Sequence, residues 1–591
     1  MPAHPAICLN AIVRNEAHII HEMLDAVAPH VSCWVIVDTG STDGTQDIIR
    51  NRMSELGIPG ELHERPWRNF GHNRSEALAL AQGHGDYIWV MDADDTITGT
   101  IDFTGLSADI IWLRFRDHDT NTFWRPQIFR DGVPVRYEGV VHEYLTDDVS
   151  FDHAHLDGDY HVESRRLGAR NTDLERKHAS DRDLLLAEVQ RNPGDSRSVF
   201  YLAQSYFCLN DYASAREWYA RRAEMGGWDE EVFYSLLRVA VSMAELGESW
   251  PQVLNSFLLA YEKRPSRAEP LYEIARWCRR LQRYEAGYMF AKRAAEIPCP
   301  DDIVLVAADV HNWRALDEQA VCASWINKKA EAFALWRRIL ARPDIPDDDR
   351  SRMAANLDLC KPSMIDAASR YPEALAQHRF AGPRDPEVTV SLVAGPDRAD
   401  TDLTLNSFLN SCTDMWRVGR FLVVDAGLSA VDRANLLERY SFLEFVDAAP
   451  GSGPGTELAY LRAQIHGRFW LHLGQGWLFF APEDLIARLT AVLKAEPQVF
   501  QVAINGGETI TLSGASAAAD PVRRAPGAGR YVLGERVAYG PAMFDTALLD
   551  RLGGISANDP DPLAELNRRA VAAGLATASL DELLCIQPDP R

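Results

Sequence analysis

The segment from Tyr87 to Asp95 places a short apolar run directly before three carboxylates. Tyr87 to Met91 are apolar or aromatic and follow the turn-like Gly83-His84-Gly85, which predicts a strand buried on both faces. If the chain stays extended beyond this strand, Asp92 and Asp94 point to the same side, because side chains repeat every two residues. Two close carboxylates repel each other unless a cation lies between them, and oxygen ligands favour Mg²⁺ or Mn²⁺. The pattern therefore predicts a divalent metal site.

The same acidic cluster also fits two other structures. An acidic stretch after a strand is often a solvated loop. An EF-hand calcium loop needs Gly at its sixth position and Glu at its twelfth, where this chain has Ile97 and Phe103. The EF-hand is excluded, and the choice between a metal site and a loop depends on the neighbouring segments.

Two upstream segments repeat the same plan of a buried strand followed by polar residues. The apolar run from Ala6 to Val13 ends in Arg14-Asn15-Glu16, and Trp34 to Val37 leads into Asp38-Thr39-Gly40-Ser41. Helical patterns follow both runs. Strands that alternate with helices indicate a parallel sheet, whose ligand binds beyond the carboxyl ends of the strands. This context favours the metal site.

Four motifs in order carry a resemblance to a known family: Ala11-Ile12-Val13-Arg14-Asn15-Glu16, Val37-Asp38-Thr39-Gly40-Ser41-Thr42-Asp43, Asn73-Arg74 and Asp92-Ala93-Asp94. The succession resembles a family 2 glycosyltransferase with the GT-A fold, over roughly residues 5 to 165. The resemblance implies a nucleotide-sugar donor, with UDP as the usual nucleotide, and an inverting transfer that depends on Mn²⁺ or Mg²⁺.

The resemblance also implies roles for single residues. Asp38 would recognise the base, usually uracil, and Asn73 and Arg74 would lie near the ribose and diphosphate. Asp92 and Asp94 would hold the donor through the ion, with Asp92 also among the donor-binding residues. Asn15 and Glu16 belong to the same donor-binding set.

A transferase also needs a base, because an acceptor hydroxyl is a poor nucleophile until its proton is taken. The segment Val140-Val141-His142-Glu143 resembles a motif of glycosyltransferases that carry tetratricopeptide repeats. Glu143 is the preferred base, with His142 beside it as the second catalytic candidate, although a lone His among apolar residues is more often structural. Asp117 and Glu138 remain alternatives to Glu143.

The family's fold often supplies a late histidine as the third metal ligand. His161, in Gly158-Asp159-Tyr160-His161, suits that role better than His153 or His155. The charged segment from Arg165 to Arg182 follows directly. It is either a solvated face or a mobile lid whose cations close over the donor diphosphate.

One competing motif is weaker. Asp38-Thr39-Gly40 is also the signature triplet of aspartic proteases, which need two such aspartates sharing a proton. The other candidate triplet, Asp425-Ala426-Gly427, lacks the hydroxyl residue. Helical patterning around both triplets contradicts an all-β protease.

Composition limits the partners and the compartment. A formal net charge of −24 over 591 residues argues against nucleic acid and against an anionic membrane surface. No apolar run approaches the roughly 20 residues that span a bilayer, and the first residues lack the features of a signal peptide. Nine scattered cysteines without a Cys-x-x-Cys pair predict reduced thiols. These features predict a cytoplasmic protein.

The middle of the chain predicts an all-α region of tetratricopeptide-like repeats, over residues 166–381. Val199-Phe200-Tyr201 recurs as Val232-Phe233-Tyr234, about one repeat later. Such arrays often bind a peptide or a partner subunit, including a second copy of the chain, but a plain spacer fits equally well.

The last part, residues 386–591, repeats the α/β plan after a linker at 382–386. The segment that begins at Gly453 aligns without a gap with the segment that begins at Gly71. In this alignment, Gly474 and Gly476 correspond to Asp92 and Asp94. This predicts a degenerate GT-A-like domain without the metal motif. Its glycine-rich turn, residues 451–455, would either cradle a phosphate or serve only flexibility.

Three domains are therefore predicted: a GT-A domain at 1–165, the helical region, and the degenerate domain. The leading hypothesis is a glycosyltransferase acting on a protein, peptide or glycan. A scaffold that only senses a sugar nucleotide, and a nucleotidyltransferase, remain the alternatives.

Overall fold

The computed structural model describes residues 4–117, 122–146, 150–373, 385–447, 453–505 and 522–587. The chain divides into two compact units, residues 1–265 with 301–306 and residues 266–300 with 307–591. The division falls inside the helical run, so each unit contains one α/β sheet and part of the helices. The predicted linker at 382–386 lies mostly outside the described residues, as do residues 451–452 of the glycine-rich turn.

The first unit begins with a nine-stranded mixed sheet and a short hairpin. Their strands are β1 Ile7–Val13, β2 Cys33–Asp38, β3 Gly60–Glu64, β4 Tyr87–Val90, β5 Asp95–Gly99, β6 Ile110–Asp117, β7 Thr122–Arg130, β8 Arg136–Glu138, β9 Tyr144–Thr146, β10 His153–His155 and β11 Tyr160–Ser164. The helices of this unit are α1 Ile20–Val27, α2 Thr45–Glu55, α3 Phe70–Ala81, α4 Leu174–Arg191, α5 Ser196–Cys208, α6 Tyr212–Met225, α7 Asp229–Glu245 and α8 Trp250–Lys263, with 3₁₀ turns at Ala28–His30 and Ala169–Asn171.

The strand order of the first sheet is β3-β2-β1-β4-β7-β6-β11-β5, with β10 beside β6. β1, β2, β3 and β4 run parallel, whereas β7 is antiparallel to β4 and β6. The chain order reverses between β1 and β4, and ligands of open α/β sheets bind at such a point. The predicted parallel α/β core is confirmed.

Apolar side chains alternate between the two faces of this sheet. Leu9 and Trp89 pack with α1 on one face, while Cys8 and Ile88 pack with α3 on the other. Burial on both faces explains the continuous apolar runs of β1, β2 and β4 in the sequence. The sheet edge where β1, β2 and β4 end is therefore held rigidly.

The helices α4 to α8 pack in succession as antiparallel pairs. The run begins at Leu174, the first residue of α4, because Asp173 caps the first turn by accepting a hydrogen bond from the Arg176 N–H.

Left-handed residues close the turns within helix pairs, at Asn210, Gly247, Gln282 and Asn327. A positive φ at this point reverses the chain after each first helix. The tetratricopeptide-like pattern predicted from the sequence is confirmed by this recurring helix-turn-helix geometry.

The second unit holds the later helices and a second nine-stranded sheet. Its helices are α9 Glu269–Arg280, α10 Tyr284–Ala295, α11 Ala315–Trp325, α12 Lys329–Leu340, α13 Asp347–Ala368, α14 Arg398–Ser411, α15 Ala430–Arg439, α16 Pro454–Ala463, α17 Leu485–Ala495, α18 Thr546–Arg551 and α19 Pro562–Ala572, with a π-helical turn at Val310–Arg314 and a 3₁₀ turn at Met415–Arg417. Its strands are β12 Val388–Ala394, β13 Arg420–Asp425, β14 Glu444–Asp447, β15 Phe469–His472, β16 Leu478–Phe479, β17 Val499–Ala503, β18 Arg523–Ala525, β19 Gly529–Gly534, β20 Ala542–Asp545, β21 Ala576–Leu580 and β22 Cys585–Ile586.

The second sheet repeats the first in order and direction. Its order β14-β13-β12-β15-β20-β17-β21 matches β3-β2-β1-β4-β7-β6-β11, and each neighbouring pair has the same parallel or antiparallel sense. The registers also agree: Ala394 pairs with Asp425 as Val13 pairs with Asp38, and Val388 pairs with Phe469 as Ile7 pairs with Tyr87. The predicted GT-A-like plan is confirmed for this part.

Helices α11 to α13 pack directly on the second sheet. Trp336 and Leu357 belong to one continuous apolar core with Val390 and Leu471. Arg337 adds hydrogen bonds of 2.6 Å from Nη2 to carboxylate oxygens of Glu483 and Glu582.

In the parts of the chain that the structure describes, none of the helices combines the length and the apolar character that are needed to cross a membrane.

Candidate active site

Asp38 ends β2 with one carboxylate oxygen fully used and the other free. Its Oδ1 accepts hydrogen bonds of 2.9 Å from the N–H groups of Gly40 and Ser41 and from Nε2 of Gln46. Its Oδ2 is buried and has no partner within the described residues, although the side chain is only 1% exposed. A buried oxygen without a partner is costly, so Oδ2 is suited to receive a donor group from a ligand.

The segment after β1 is fastened to the loop after β2. Asn15 has a left-handed φ of 58°, donates its N–H to Ser41 Oγ at 2.8 Å, and accepts the Thr42 N–H through Oδ1 at 2.8 Å. Glu16 donates its N–H to Thr45 Oγ1 at 2.9 Å. These bonds hold Asn15 and Glu16 at the same sheet edge as Asp38.

The acidic run after β4 does not stay extended. The strand ends at Val90, Ala93 and Asp94 form a turn, and the Asp95 N–H donates to the Asp92 carbonyl at 3.1 Å. The expectation that Asp92 and Asp94 share one direction through strand alternation is therefore wrong. The turn gives the two carboxylates different partners.

Arg74 joins Asp92 to Glu143. Its Nη2 donates to Asp92 Oδ1, and its Nε donates to Glu143 Oε1 at 2.6 Å. Arg125 lies on the other side of Asp92, with Nη1 at 3.7 Å from Oδ2. Burial opposes ionisation of Asp92, but the two guanidinium groups outweigh it and hold the pKa of Asp92 well below its usual value.

Asp94 instead converges with Glu16 on the backbone of Gly168. Gly168 donates its N–H to Asp94 Oδ2 at 2.8 Å, and Ala169 donates its N–H to Glu16 Oε2 at 3.2 Å. A Cβ placed on Gly168 would lie within 3.5 Å of both carboxylates, so the two acids approach the same point of the backbone. Burial raises the pKa of Glu16 to about 7, and the charge of Asp94 adds to this effect.

Two carboxylates that converge on one point form a suitable donor set for a hard divalent ion. Mg²⁺ and similar ions use one or two carboxylates and complete their shell with phosphate oxygens and water. Asp94 and Glu16 fit this description better than Asp92 and Asp94, because Asp92 is neutralised by arginine. Within the described residues, no three His, Cys, Asp or Glu side chains are gathered as a metal site.

His161 is not gathered with the acids. It lies on β11 opposite Thr98, three residues before Ser164, which pairs with Asp95. At about 3.3 Å per residue, this places His161 roughly 10 Å along the strand from the acidic turn. Its role as a metal ligand stays a prediction.

Asn73 lies behind the site rather than in it. The side chain is fully buried, accepts the Arg68 N–H through Oδ1 at 2.9 Å and donates from Nδ2 to the Pro66 carbonyl at 3.1 Å. Both ends of the amide are thus used to hold the loop before α3. Its predicted contact with the donor remains untested.

The segment with His142 and Glu143 is held from two sides. The N–H groups of Phe70 and Gly71, at the start of α3, donate to the carbonyls of Val140 and Gly139 at 3.2 and 3.1 Å. On the other side, the ring of His142 stacks on Tyr201 of α5, with centroids 4.0 Å apart and planes 12° apart. The first helical repeat therefore takes part in placing Glu143.

Arg197 of α5 completes this support. Its Nη2 donates to the His142 carbonyl at 3.0 Å, and its guanidinium lies over the rings of Tyr144 and Tyr201. His142 has a φ of 52°, a conformation that a non-glycine residue adopts only when its surroundings enforce it. Shielding from water lowers the pKa of His142, so the ring is neutral near pH 7.

The alternative residues have other partners. Glu138 accepts hydrogen bonds from Arg136, the shorter at 2.8 Å, and the side chain of Asp117 lies outside the described residues. His153 accepts the Trp112 indole N–H at 2.9 Å, and His155 stacks on Trp124. In the charged segment, Arg165 donates from Nε to the Asp94 carbonyl at 2.9 Å, so its start lies against the acidic turn.

Sequence reasoning missed Asp95 and Gly168. Asp95 is 1% exposed and its Oδ2 has no partner within the described residues; burial and the nearby Asp92 raise its pKa well above the usual value. Its position directly after Asp92 and Asp94 was the sequence signal that could have identified Asp95 as a site residue. Gly168 carried no signal, because its role depends on a contact with residues far away in the chain.

The second sheet has lost the equivalent features. Asp425 repeats the turn of Asp38 by accepting the N–H groups of Gly427 and Leu428 through Oδ1, but its Oδ2 lies 3.6 Å from Nη1 of Arg433. The side chain of Gln475 lies over Gly395, where a Cβ would be 2.3 Å from its amide nitrogen. The residues that align with Asp92 and Asp94 are glycines. These substitutions support the predicted loss of the metal motif.

Residues 11–106 match the family model described as Glycosyl transferase family 2. The matched range contains the end of β1, all of β2 to β5 and the acidic turn. Residues 11–106 are therefore similar to a family 2 glycosyltransferase domain. They lie in a sheet of GT-A-like strand order, which is followed by tetratricopeptide-like helices and a second, GT-A-like sheet.

Comparison with individual proteins gives distant similarities. The chain is 24% identical over 258 residues to a TPR repeat-containing protein of Synechococcus elongatus, a match that covers 40% of this chain and 60% of the relative's length. The mannosyltransferase PcManGT from Pyrobaculum calidifontis, in complex with GDP-Man and Mn²⁺, is similar at 15% identity, with 39% of this chain and 66% of that chain covered and a TM-score of 0.26. S. aureus TarS 1–349 in complex with UDP-GlcNAc is similar at 13% identity, with 42% of this chain and 93% of that chain covered and a TM-score of 0.26.

Proposed function

We propose that the chain is a metal-dependent glycosyltransferase that moves a sugar from a nucleotide donor, with UDP as the expected nucleotide. One observation carries the proposal: Asp38 with its buried free oxygen and the converging pair Asp94 and Glu16 occupy the same edge of the sheet, where the strand order reverses. Asp38 would bind the nucleobase of the donor. Asp94 and Glu16 would bind the ion that accompanies its diphosphate.

The residues of this chain have separate tasks in the proposed transfer. Asp94 and Glu16 would hold Mn²⁺ or Mg²⁺, which supplies positive charge to the departing diphosphate when bound. Arg74 holds Asp92 and Glu143 in place through its hydrogen bonds to both carboxylates. Glu143 binds Arg74 through Oε1, which leaves Oε2 to take the proton of the acceptor hydroxyl as it attacks the anomeric carbon. The outcome is a single inverting displacement.

A donor screen by thermal shift tests this function. We expect a UDP-sugar with Mn²⁺ to raise the melting temperature, because a ligand that binds only the folded state stabilises it by about 2.7 kcal/mol at 100 times its Kd. Asp38→Asn should abolish the shift. The variant replaces a carboxylate oxygen, which would accept a hydrogen bond from the nucleobase, with an amide NH₂ group.

Asp425→Asn is the matched control, because this residue forms the same turn in the second sheet. The control should keep the full shift. A shift that persists in Asp38→Asn and disappears in Asp425→Asn would place the donor in the wrong domain and refute the assignment.

The support of Glu143 by the helical repeat gives a second prediction. Tyr201→Ala removes the ring on which His142 stacks, and we expect the rate of sugar transfer to fall about 10- to 100-fold, since small displacements of a reacting group are costly. Tyr201→Phe keeps the ring and should retain most of the activity. The donor-induced thermal shift should be the same in both variants; an equal loss of donor binding would mean that Tyr201 acts on the fold and not on the base.

A further inference from the structure

A pocket of about 620 Å³ lies between the β8–β9 hairpin and the first helical pair, α4 and α5. Both of its walls belong to the first unit. Its volume is within the range of about 300 to 1,000 Å³ found for ligand-binding pockets. The functions assigned above to the donor site do not use it.

The pocket wall combines tyrosine rings with charged groups. Tyr144 and Tyr201 contribute rings, and Glu138, Glu188 and Arg191 contribute charges. Arg197 lies between the two rings, and its Nε is buried without a hydrogen-bond partner in the described part of the chain. A pocket that selected an apolar peptide side chain would instead be lined mainly by apolar groups.

The charges in the wall are largely compensated. Glu138 pairs with Arg136 at 2.8 Å, Glu188 pairs with Arg191, and Asp195 caps α5 by accepting the N–H groups of Arg197 and Ser198. A wall of compensated charges offers hydrogen-bond donors and acceptors without a strong preference for either sign. It therefore suits an uncharged ligand with many hydroxyl groups.

The pocket adjoins the predicted base through a continuous segment. Gly139, Val140 and Val141 form part of its wall, and the next two residues are His142 and Glu143. Tyr201 faces the pocket and also stacks on His142. A ligand in the pocket is thus held by the same elements that place the base.

We propose that this pocket binds the acceptor and that the acceptor is a neutral oligosaccharide. Pyranose rings present apolar C–H faces to aromatic rings and hydroxyl groups to carboxylates and guanidinium groups, which is the combination found here. The proposal rests on the transferase function proposed above, since only a transferase needs an acceptor beside its base.

Gly194 provides a position from which a large side chain can enter the pocket. This residue lies in the pocket wall, and a Cβ placed on it would meet only Asn192 Oδ1, at 3.9 Å. Gly194→Trp should therefore occupy the pocket. Gln190→Trp is the matched control, because Gln190 is exposed on α4 and is not part of the pocket wall.

The experiment is ligand-observed saturation-transfer NMR with neutral tetrasaccharides of glucose, galactose, mannose and N-acetylglucosamine, and with an uncharged Ser/Thr decapeptide. We expect at least one tetrasaccharide to bind the wild-type chain and the Gln190→Trp variant, and to bind Gly194→Trp at least about tenfold more weakly. The proposal is overturned if no tetrasaccharide binds, if Gly194→Trp binds equally well, or if only the peptide binds.

The donor-induced thermal shift, measured on the same three proteins, separates the two proposals. Oligosaccharide binding without any UDP-sugar shift would refute the transferase function and leave a glycan-binding pocket. A normal shift in all three proteins without oligosaccharide binding would refute only the acceptor assignment.

Discussion

Replacing Asp94 by alanine is expected to lower the Mn²⁺-dependent release of nucleoside diphosphate from a UDP-sugar by at least about 100-fold. The variant removes one of the two carboxylates that converge on Gly168, and Glu16 alone cannot hold the ion with the same charge and geometry. Loss of about 3 kcal/mol of stabilisation of the leaving group corresponds to a factor of about 100 in rate. The measurement is a titration of diphosphate release against Mn²⁺ concentration.

Asp47→Ala is the control for this experiment, because Asp47 is an exposed acid on α2 that forms a surface ion pair with Arg50. It should release diphosphate like the wild-type chain. Two results would contradict the proposal: full activity of Asp94→Ala, or release of pyrophosphate in place of nucleoside diphosphate, which would indicate transfer of a nucleotide. Complete absence of turnover with normal donor binding would favour a sensing scaffold.

Replacing Glu269 by alanine is expected to lower the free energy of unfolding by about 3 to 5 kcal/mol. Glu269 accepts a hydrogen bond of 2.6 Å from Nη2 of Arg267, which is fully buried, and His311 Nε2 lies 3.4 Å from its Oε2. Removing the acid breaks a buried ion pair from one side, which is among the most destabilising changes in proteins. The measurement is urea-induced unfolding.

The contribution of Glu269 to the free energy of unfolding should decrease as the pH falls. Burial opposes ionisation of Glu269, but His311 and Arg267 lower its pKa to about 2. A depressed acid pKa contributes stability that is complete above the usual value near 4.5 and is lost as the pH falls towards 2. Glu269→Ala should remove this part of the acid dependence.

Glu296→Ala, which breaks an exposed pair with Arg293, is the control and should change the unfolding free energy by less than about 1 kcal/mol. An equally small effect of Glu269→Ala would refute the role assigned to Glu269.

The sequence predicted the frame of the site well because the frame depends on local patterns. Apolar runs that end in polar residues identified β1, β2 and β4, and Asp38 lies at the end of its strand as expected. The gapless alignment of the segments that begin at Gly71 and Gly453 also agrees with the strand registers. It places Tyr87 with Phe469, which pair with the equivalent residues Ile7 and Val388, and alternation along a strand allows no shift without exposing the core.

The partners of the acids were not predictable in the same way. The sequence indicated a pair formed by Asp92 and Asp94, whereas the structure places Asp92 on Arg74 and Asp94 beside Glu16. The turn at Ala93, the approach of Gly168 and the stacking of His142 on Tyr201 all join residues far apart in the chain. Such contacts depend on tertiary packing, which periodicity does not encode.

The two sheets of this chain keep the same strand order and register, yet one ends in carboxylates and the other in glycines, a glutamine and an aspartate beside Arg433. Architecture and reactivity are thus separable within a single polypeptide. For residues 388–586, the strand order that they share with the first sheet is consequently no guide to chemistry, which depends on the side chains at the ends of the strands.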